Sequence, residues 1–411
     1  MAEQRLSELR VENFRSLRQI TMPLGPVNVL VGPNGAGKTN VLKVFEFLAD
    51  IVRTDLEPVL AARGGFEELV FRGGADRPDH LLIGIKGAWS SSLAGAPDEY
   101  VLKITNAPLA REEVFRSADV QHRLRTITVE GTRAKAQLRT LGQGGFESRS
   151  EWPPLGVGTA DRKSDEVGIQ PLSSGLSTLP RLAEKKFSMA PTLVADMLRA
   201  FRVFDVDVSK ASMPSRVHRG GQEPIADNAA NLAAFLLALR NSDEDAWSRL
   251  QADAVEALPQ VESLDFDYPS GGAHSVVVVL RERGLREPTS LLDASYGTIR
   301  LLGLLAMLYD PAPPALTCVE EIDHGLHPQA LELLVERVRE ASEKTQFIIA
   351  THSPALADRL KPEEVVICER GDDGSSLIPA ISTVKVEEIV RASEGLPLGE
   401  LWFSGVLGGD L

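Results

Sequence analysis

Residues 32–39 read GPNGAGKT and directly follow the apolar run VNVLV at 27–31. The octet fits G-x-x-x-x-G-K-[ST], the loop that cradles phosphate groups. Each residue type has a reason. Gly32, Gly35 and Gly37 allow the backbone to curl so that successive N–H groups face an anion at a helix N-terminus, where the helix dipole also favours negative charge. Lys38 can reach the β- and γ-phosphates of a nucleotide, and the Thr39 hydroxyl can ligate magnesium. Pro33, Asn34 and Ala36 complete the loop and Asn40 follows it, so the whole run 32–40 is a candidate nucleotide contact. A helix is expected over 39–52, with Val41, Val44, Phe45, Leu48, Ile51 and Val52 at helical spacing on one side.

A phosphate loop needs a partner strand that ends in carboxylates. ALTCVEE at 315–321 supplies it, an apolar run closing on Glu320 and Glu321. Glu320 would hold magnesium through water, and Glu321 would orient and polarise an attacking water. This places the metal at the end of a strand expected to adjoin the phosphate loop. The alternative is a solvated acidic strand end.

The rest of the chain surrounds these two segments. Strands are expected in LSELRVENF, HLLIGIK and EYVLKIT, and a hairpin over 123–139 that turns at Glu130, Gly131 and Thr132. Residues 142–177 are rich in Gly, Ser and Pro and read as loop. Helices follow in TLVADMLRAFRVF, DNAANLAAFLLALR and DEDAWSRLQADAVEAL, then a hairpin formed by ESLDFDYP and SVVVVLRER. The last part alternates TIRLLGLLAML, ALTCVEE, PQALELLVERVREASE, TQFIIAT and VVICER. That alternation of helix and strand indicates a parallel sheet covered by helices.

Composition narrows the class. The chain has 411 residues, 43% hydrophobic and 25% charged, with a formal net charge of −14. Its mean hydropathy is −0.06. So acidic a chain is no non-specific nucleic-acid coat, although a local basic patch can still meet phosphate. The two cysteines, Cys318 and Cys368, lie in apolar runs and read as buried thiols of a reducing cytoplasm. The N-terminus carries charges where a signal peptide has its apolar stretch. The apolar run 301–308 is far short of the ~20 residues that cross a bilayer. A cytoplasmic protein without a membrane partner is expected.

Five motifs together carry a family resemblance: NFRSL (13–17), GPNGAGKT (32–39), SYGTIRLL (295–302), CVEEIDHGLHP (318–328) and THSP (351–354). In this order they resemble the ABC-type ATPase heads of the RecF, SMC and OLD-like group, and the compact bacterial AAA-type ATP-binding proteins within it. The resemblance covers residues 1–105 and 255–411. It implies an α/β fold: a P-loop NTPase with an ABC-type head, a mixed or parallel sheet core, an antiparallel β subdomain and an inserted helical lobe. Residues 1–175 would form the N-terminal part of the head with the phosphate loop and β subdomain. Residues 176–255 would form the helical lobe, and 256–411 the C-terminal part of the head.

The resemblance also implies roles. Ser295 and Gly297 match the signature motif, which binds the γ-phosphate held by a second subunit and makes the ATP site a dimer property. Ser295 could equally cap a core helix, and both can be true. His352 matches the switch histidine at the γ-phosphate. Residues 323–328 resemble the D-loop, where His327 would either contribute to an interface or cap the next helix. Arg15 and Ser16 match positions that border the nucleotide. The first acid is Glu320 where Asp is commoner, and SYGT in place of LSGGQ argues against a transporter ATPase. No Q-loop glutamine is evident, and residues 63–74 are where its substitute is expected.

The span from Lys38 to Glu320 is too short for a long coiled-coil arm, and no OLD-like nuclease domain is expected in the stretch after His352. The expectation is a magnesium-dependent ATPase, dimeric or larger, in DNA repair or anti-phage defence. It would control a separately encoded, nuclease-like effector. A scaffold or sensor with negligible turnover is the alternative, and an energiser of a membrane transporter the third reading. The strand residues Arg133, Lys135 and Arg139, joined by Arg123 and Arg125, form a candidate face for DNA or an acidic protein. A solvated hairpin face is the competing reading.

Overall fold

The computed structural model describes residues 5–408 except 76, 90–97, 107, 119–122, 141–164, 183–184, 218–222, 270–273 and 394. At its centre is a five-stranded sheet in the order Arg202–Phe204, Leu316–Glu320, Gln346–Thr351, Val27–Val31, Val365–Ile367. Every pairing in it is parallel. Both faces are covered, which is why these strands read as continuous apolar runs. Leu30, Cys318 and Ile348 point to one side, into a core with the helix Lys38–Arg53 and the second sheet. Val29, Val31, Val319, Phe347 and Ile349 point to the other, into a core with the helices Tyr296–Leu308 and Pro328–Ala341.

The second sheet has eight strands, in the order Leu17–Pro23, Arg5–Phe14, His80–Ala88, Asp98–Asn106, Leu109–Ala118, Arg123–Glu130, Arg133–Thr140, Asp165–Gly168. All its pairings are antiparallel. The expected hairpin between Val261–Asp267 and Ser275–Glu282 is present in a third, smaller sheet. The α/β architecture with a parallel core and an antiparallel sheet is therefore the observed one.

Three differences from the sequence reading have physical causes. Leu109–Ala118 is a strand although it carries five charged or polar side chains in LAREEVFRSA. Arg111 and Glu113 are fully buried there and pair at 3.3 Å. Burial pushes the Glu113 carboxyl up, while the Arg111 guanidinium and bonds from Gly175 N–H, Tyr100 and Ser174 oppose the shift. Asp165–Gly168, read as loop, is the edge strand beside Arg133–Ala136, and pairing overrides the Gly- and Ser-rich context. Arg202–Phe204, read as the end of a helix, joins the central sheet and buries Phe204 completely.

Register sets the working edge of the central sheet. Glu320 stands opposite Ala350, and Thr351 opposite Val31. The strands thus end together, and the loops leaving them carry GPNGAGKT, EIDHG and HSP. In open parallel sheets this carboxyl edge is where ligands bind. The end of the acidic strand meets the phosphate loop, as expected, with Glu320 accepting from the Thr39 hydroxyl, but the two strands do not pair. Gln346–Thr351, the strand that leads into His352, lies between them.

Candidate nucleotide-binding site

The phosphate loop is built by three glycines with two different constraints. Gly35 and Gly37 adopt φ of 84° and 98°, in the left-handed region that side chains disfavour. Gly32 is required by proximity, since a Cβ there would lie 2.2 Å from the carbonyl oxygen of Cys368. Ala36 is buried. The helix Lys38–Arg53 then starts with Gly37 as its N-cap and no side-chain cap, which leaves its first N–H groups directed at the cleft.

Lys38 folds over this loop. Its Nζ donates to the carbonyls of Gly32 at 2.7 Å and Pro33 at 2.9 Å. Burial pulls its ammonium below the ordinary lysine value, opposed by the carboxylates of Glu321 and Glu320. A half-buried cation held by carbonyls alone is well placed to meet an anion. Thr39 Oγ1 donates to Glu320 Oε1.

Glu321 follows the acidic strand with a φ of 49°. A left-handed backbone at a residue other than glycine costs roughly 1–3 kcal/mol, and such strain gathers at functional sites. Its N–H donates to Ala350 O at 2.8 Å. His352 Nδ1 lies 3.8 Å from Glu321 Oε1, and His324 Nδ1 lies 3.6 Å from Glu321 Oε2. The turn between them is braced by Thr351 Oγ1, which donates to Asp323 Oδ1 at 2.6 Å.

These groups converge on one cleft of about 590 Å³, lined by Asn34, Gly35, Gly37, Lys38, Thr39, Asn40, Glu320, Glu321, Ala350, His352 and Arg370. Gly32, Pro33 and Ala36 support the loop and are not part of the lining. Thr39 and Glu320 present hard oxygen donors side by side, as magnesium requires. Among the described residues no group of three or more His, Cys, Asp or Glu could hold a metal. One carboxylate and one hydroxyl suit magnesium, which is usually completed by substrate phosphates and water.

Arg15, Ser295 and Gly297 do not line the cleft. Arg15 has a φ of 53°, and its N–H donates to Leu69 O at 2.7 Å. Residues 63–74 dock on this segment, with Phe71 N–H donating to Asn13 O at 3.0 Å, and they contribute nothing to the lining. Ser16 ties the hairpin Glu369–Leu377 to the loop helix: its hydroxyl accepts from Asn40 Nδ2 and shares a hydrogen bond with Ser376 Oγ, each at 2.7 Å. Ser295 caps the helix Tyr296–Leu308, its Oγ accepting from Thr298 N–H at 3.2 Å. A Cβ on Gly297 would stand 2.5 Å from Gly325 O, so the signature segment lies against residues 323–328. His327 caps the helix Pro328–Ala341, with Nδ1 accepting from Gln329 N–H at 3.4 Å.

Sequence reading missed Arg370, whose Nη1 donates to Gly35 O at 2.8 Å within the cleft. Its signal is its place just beyond the strand Val365–Ile367, on the same carboxyl edge. On the candidate basic face, Arg133 is exposed and pairs with Glu166 at 3.5 Å. Lys135 stands opposite the same acid in register. The side chains of Arg123, Arg125, Lys135 and Arg139 lie outside the described residues. Among those that are described, no helix is long and apolar enough to cross a membrane.

A parallel sheet with a phosphate loop and two carboxylates at one edge defines the class: a P-loop ATPase head. Residues 147–358 match the family described as "AAA domain, putative AbiEii toxin, Type IV TA system", and residues 5–67 match one described as "AAA ATPase domain". The first match covers more than half of the chain, and the chain belongs to that AAA family. It is 24% identical over 372 residues to an OLD nuclease of Thermus scotoductus, covering 86% of this chain and 60% of the relative. The chain thus spans less than two thirds of that nuclease. It is 30% identical over 90 residues to the DNA replication and repair protein RecF of Corynebacterium jeikeium, 20% of this chain and 21% of the relative. In fold it resembles the SMC head with an extended coiled coil from Pyrococcus furiosus, solved with the C-terminal domain of ScpA. That match has a TM-score of 0.52 at 12% identity and covers 95% of this chain and 100% of that one. The chain thus carries the ATPase domain of that AAA family, is similar in sequence to OLD and RecF proteins over the stretches given, and shares its fold with SMC heads.

Proposed function

We propose that the chain binds ATP with magnesium in this cleft and hydrolyses it between two subunits, and that closing and opening of the pair controls a separately encoded partner. The observation that carries the reading is the convergence of Lys38, Thr39, Glu320, Glu321 and His352 on one cleft. Loop N–H groups and Lys38 would hold the phosphates, and Arg370 adds a second cation beside Gly35. Glu321 would accept the proton of the attacking water, which adds to the γ-phosphorus as the bond to the β–γ bridging oxygen breaks. His352, beside Glu321, would orient that water and the γ-phosphate. Magnesium, held by Thr39 and Glu320, would supply charge neutralisation on the phosphate oxygens. Ser295, absent from its own chain's cleft, would serve the nucleotide of the second subunit.

The relatives named as an OLD nuclease and as a replication and repair protein favour work on DNA, in repair or in anti-phage defence. The partner would be nuclease-like, and Arg133 and its neighbouring strand residues are the candidate DNA contact. The test uses two variants. Lys38→Ala should lose binding of a fluorescent ATP analogue. Glu321→Gln should keep binding, lose hydrolysis and accumulate as a dimer with ATP. Hydrolysis by Glu321→Gln at the wild-type rate would overturn the assignment of the base. Wild-type turnover of about one per hour or less, against the ~1–1,000 per second usual for enzymes, would favour a sensor that only binds ATP.

A further inference from the structure

Arg300 is 3% exposed, five residues into the helix capped by Ser295. Its Nη2 donates to the backbone carbonyls of Glu320 at 3.1 Å and Glu321 at 2.8 Å. Its Nη1 donates to Asp205 Oδ1 at 3.3 Å. A buried guanidinium is stable only where its donors find acceptors. Two of these acceptors belong to the residues whose carboxylates enter the cleft.

The Glu321 peptide is gripped from several directions. Its N–H is held by Ala350 O, and its carbonyl accepts from both Arg300 and His324 N–H, the latter at 2.9 Å. That grip sustains the left-handed backbone at φ 49°. The same helix touches the turn again where Gly297 meets Gly325. Leu301, Leu302, Leu304 and Leu305 are all buried, so the helix moves as a unit with its core. Ser295 and Arg300 are separated by about 7.5 Å along the axis, and a shift at the first reaches the second through rigid backbone.

We propose that Arg300 is a positioning residue: it sets the backbone of Glu321, and hence its carboxylate, and passes displacement of the Ser295 helix to it. This deepens the proposed two-subunit reading and rests on it for the coupling. Engagement of Ser295 by a second subunit's nucleotide would move the helix, and Arg300 would move the Glu320–Glu321 backbone with it.

Three variants test this: Arg300→Gln, Arg300→Lys and Asp205→Asn. Arg300→Gln should lower kcat about 10–100-fold, the range for groups that orient a working residue. KM and affinity for a fluorescent ATP analogue should stay within about twofold, since Arg300 does not line the cleft. Arg300→Lys should recover part of the loss. In the Glu321→Gln background Arg300→Gln should have no further effect, because both act through one carboxylate. In protein without nucleotide, amide hydrogen exchange at 321–324 should quicken in Arg300→Gln.

Wild-type kcat in Arg300→Gln, independent multiplication of the two losses, or unchanged exchange would each overturn the proposal. If Arg300→Gln fails to fold, Asp205→Asn serves, because the Asp205 side chain is 71% exposed. It should lower kcat about fivefold and quicken the same amides, and no change in either would overturn the proposal. A wild-type protein that hydrolyses no ATP would sink the ATPase reading alone, and the exchange measurement would still decide what Arg300 does to the turn.

Discussion

The hydroxyl of Thr39 donates to the carboxylate of Glu320 across 281 positions of sequence. The contact joins the first turn of the loop helix to the end of a strand two places away in the sheet. It brings together the two oxygen ligands that magnesium would share.

Removing that pair should affect chemistry more than folding. Thr39→Ala and Glu320→Gln should each lower magnesium-dependent hydrolysis about a hundredfold or more, as expected for a metal that stabilises transition-state charge. Chelation of divalent cations should do the same to the wild type. A magnesium titration of each variant checks this, and an unshifted midpoint with an unchanged rate would remove Thr39 and Glu320 as ligands.

Ser295 has two separable jobs. As an N-cap, its loss in Ser295→Ala should cost about 1 kcal/mol of stability, visible as a small fall in Tm. As a contact to the second subunit's nucleotide, its loss should also abolish the ATP-dependent dimer of Glu321→Gln, read by light scattering. A lower Tm with an intact dimer would leave only the capping role.

Gly37 combines a φ of 98° with a crowded site, where a Cβ would lie 2.0 Å from Ser376 Oγ. Gly37→Ala should therefore cost about 1–2 kcal/mol and weaken binding of an ATP analogue at least tenfold. Adding Ser376→Gly should relieve the closest clash but leave Ser16 Oγ at 2.9 Å and the backbone conflict, so binding should recover only in part. Full recovery would show that φ at this position is unimportant.

His80 bridges Asp79 and Glu12, with its Nε2 3.3 Å from Glu12 Oε2. The hydrogen bond to Glu12 holds the His80 imidazolium above its ordinary value of 6.5. The same bond from His80, opposed by burial and helped by Arg10, brings the Glu12 carboxyl to about 2. The His80 contribution is whole below pH 6.5 and is lost as pH rises through its raised folded value. The Glu12 contribution is whole above pH 4.5 and is lost as pH falls toward about 2. Both groups are partly exposed, so the effect is at most about 1 kcal/mol. His80→Gln should lower Tm by about 1 °C at pH 5.5 and by less at pH 8.5. An equal loss at both values would exclude the ionic origin.

The loop and the acidic strand were legible because their chemistry is local. Gly35, Gly37, Lys38 and Thr39 must be contiguous for backbone N–H groups and side chain to meet one phosphate chain. Glu320 and Glu321 mark a strand end because the run Ala315–Val319, apolar but for Thr317, precedes them. His352 was legible for the same reason, directly after a buried strand. Arg370 was not, since its role comes from a hairpin that folds back onto the loop through Ser376 and Ser16. The strand Leu109–Ala118 was missed because Arg111 and Glu113 look solvated until each is seen to bury the other.

The sequence by itself determined the phosphate loop, the two carboxylates and the parallel α/β core, because each follows from short-range periodicity and residue chemistry. Only the tertiary structure decided that the His352 strand stands between the acidic strand and the phosphate-loop strand, and that Arg300 grips the Glu321 backbone from the Ser295 helix. Sheet order and buried donor–acceptor pairing arise from packing between segments hundreds of residues apart, and no local pattern records them.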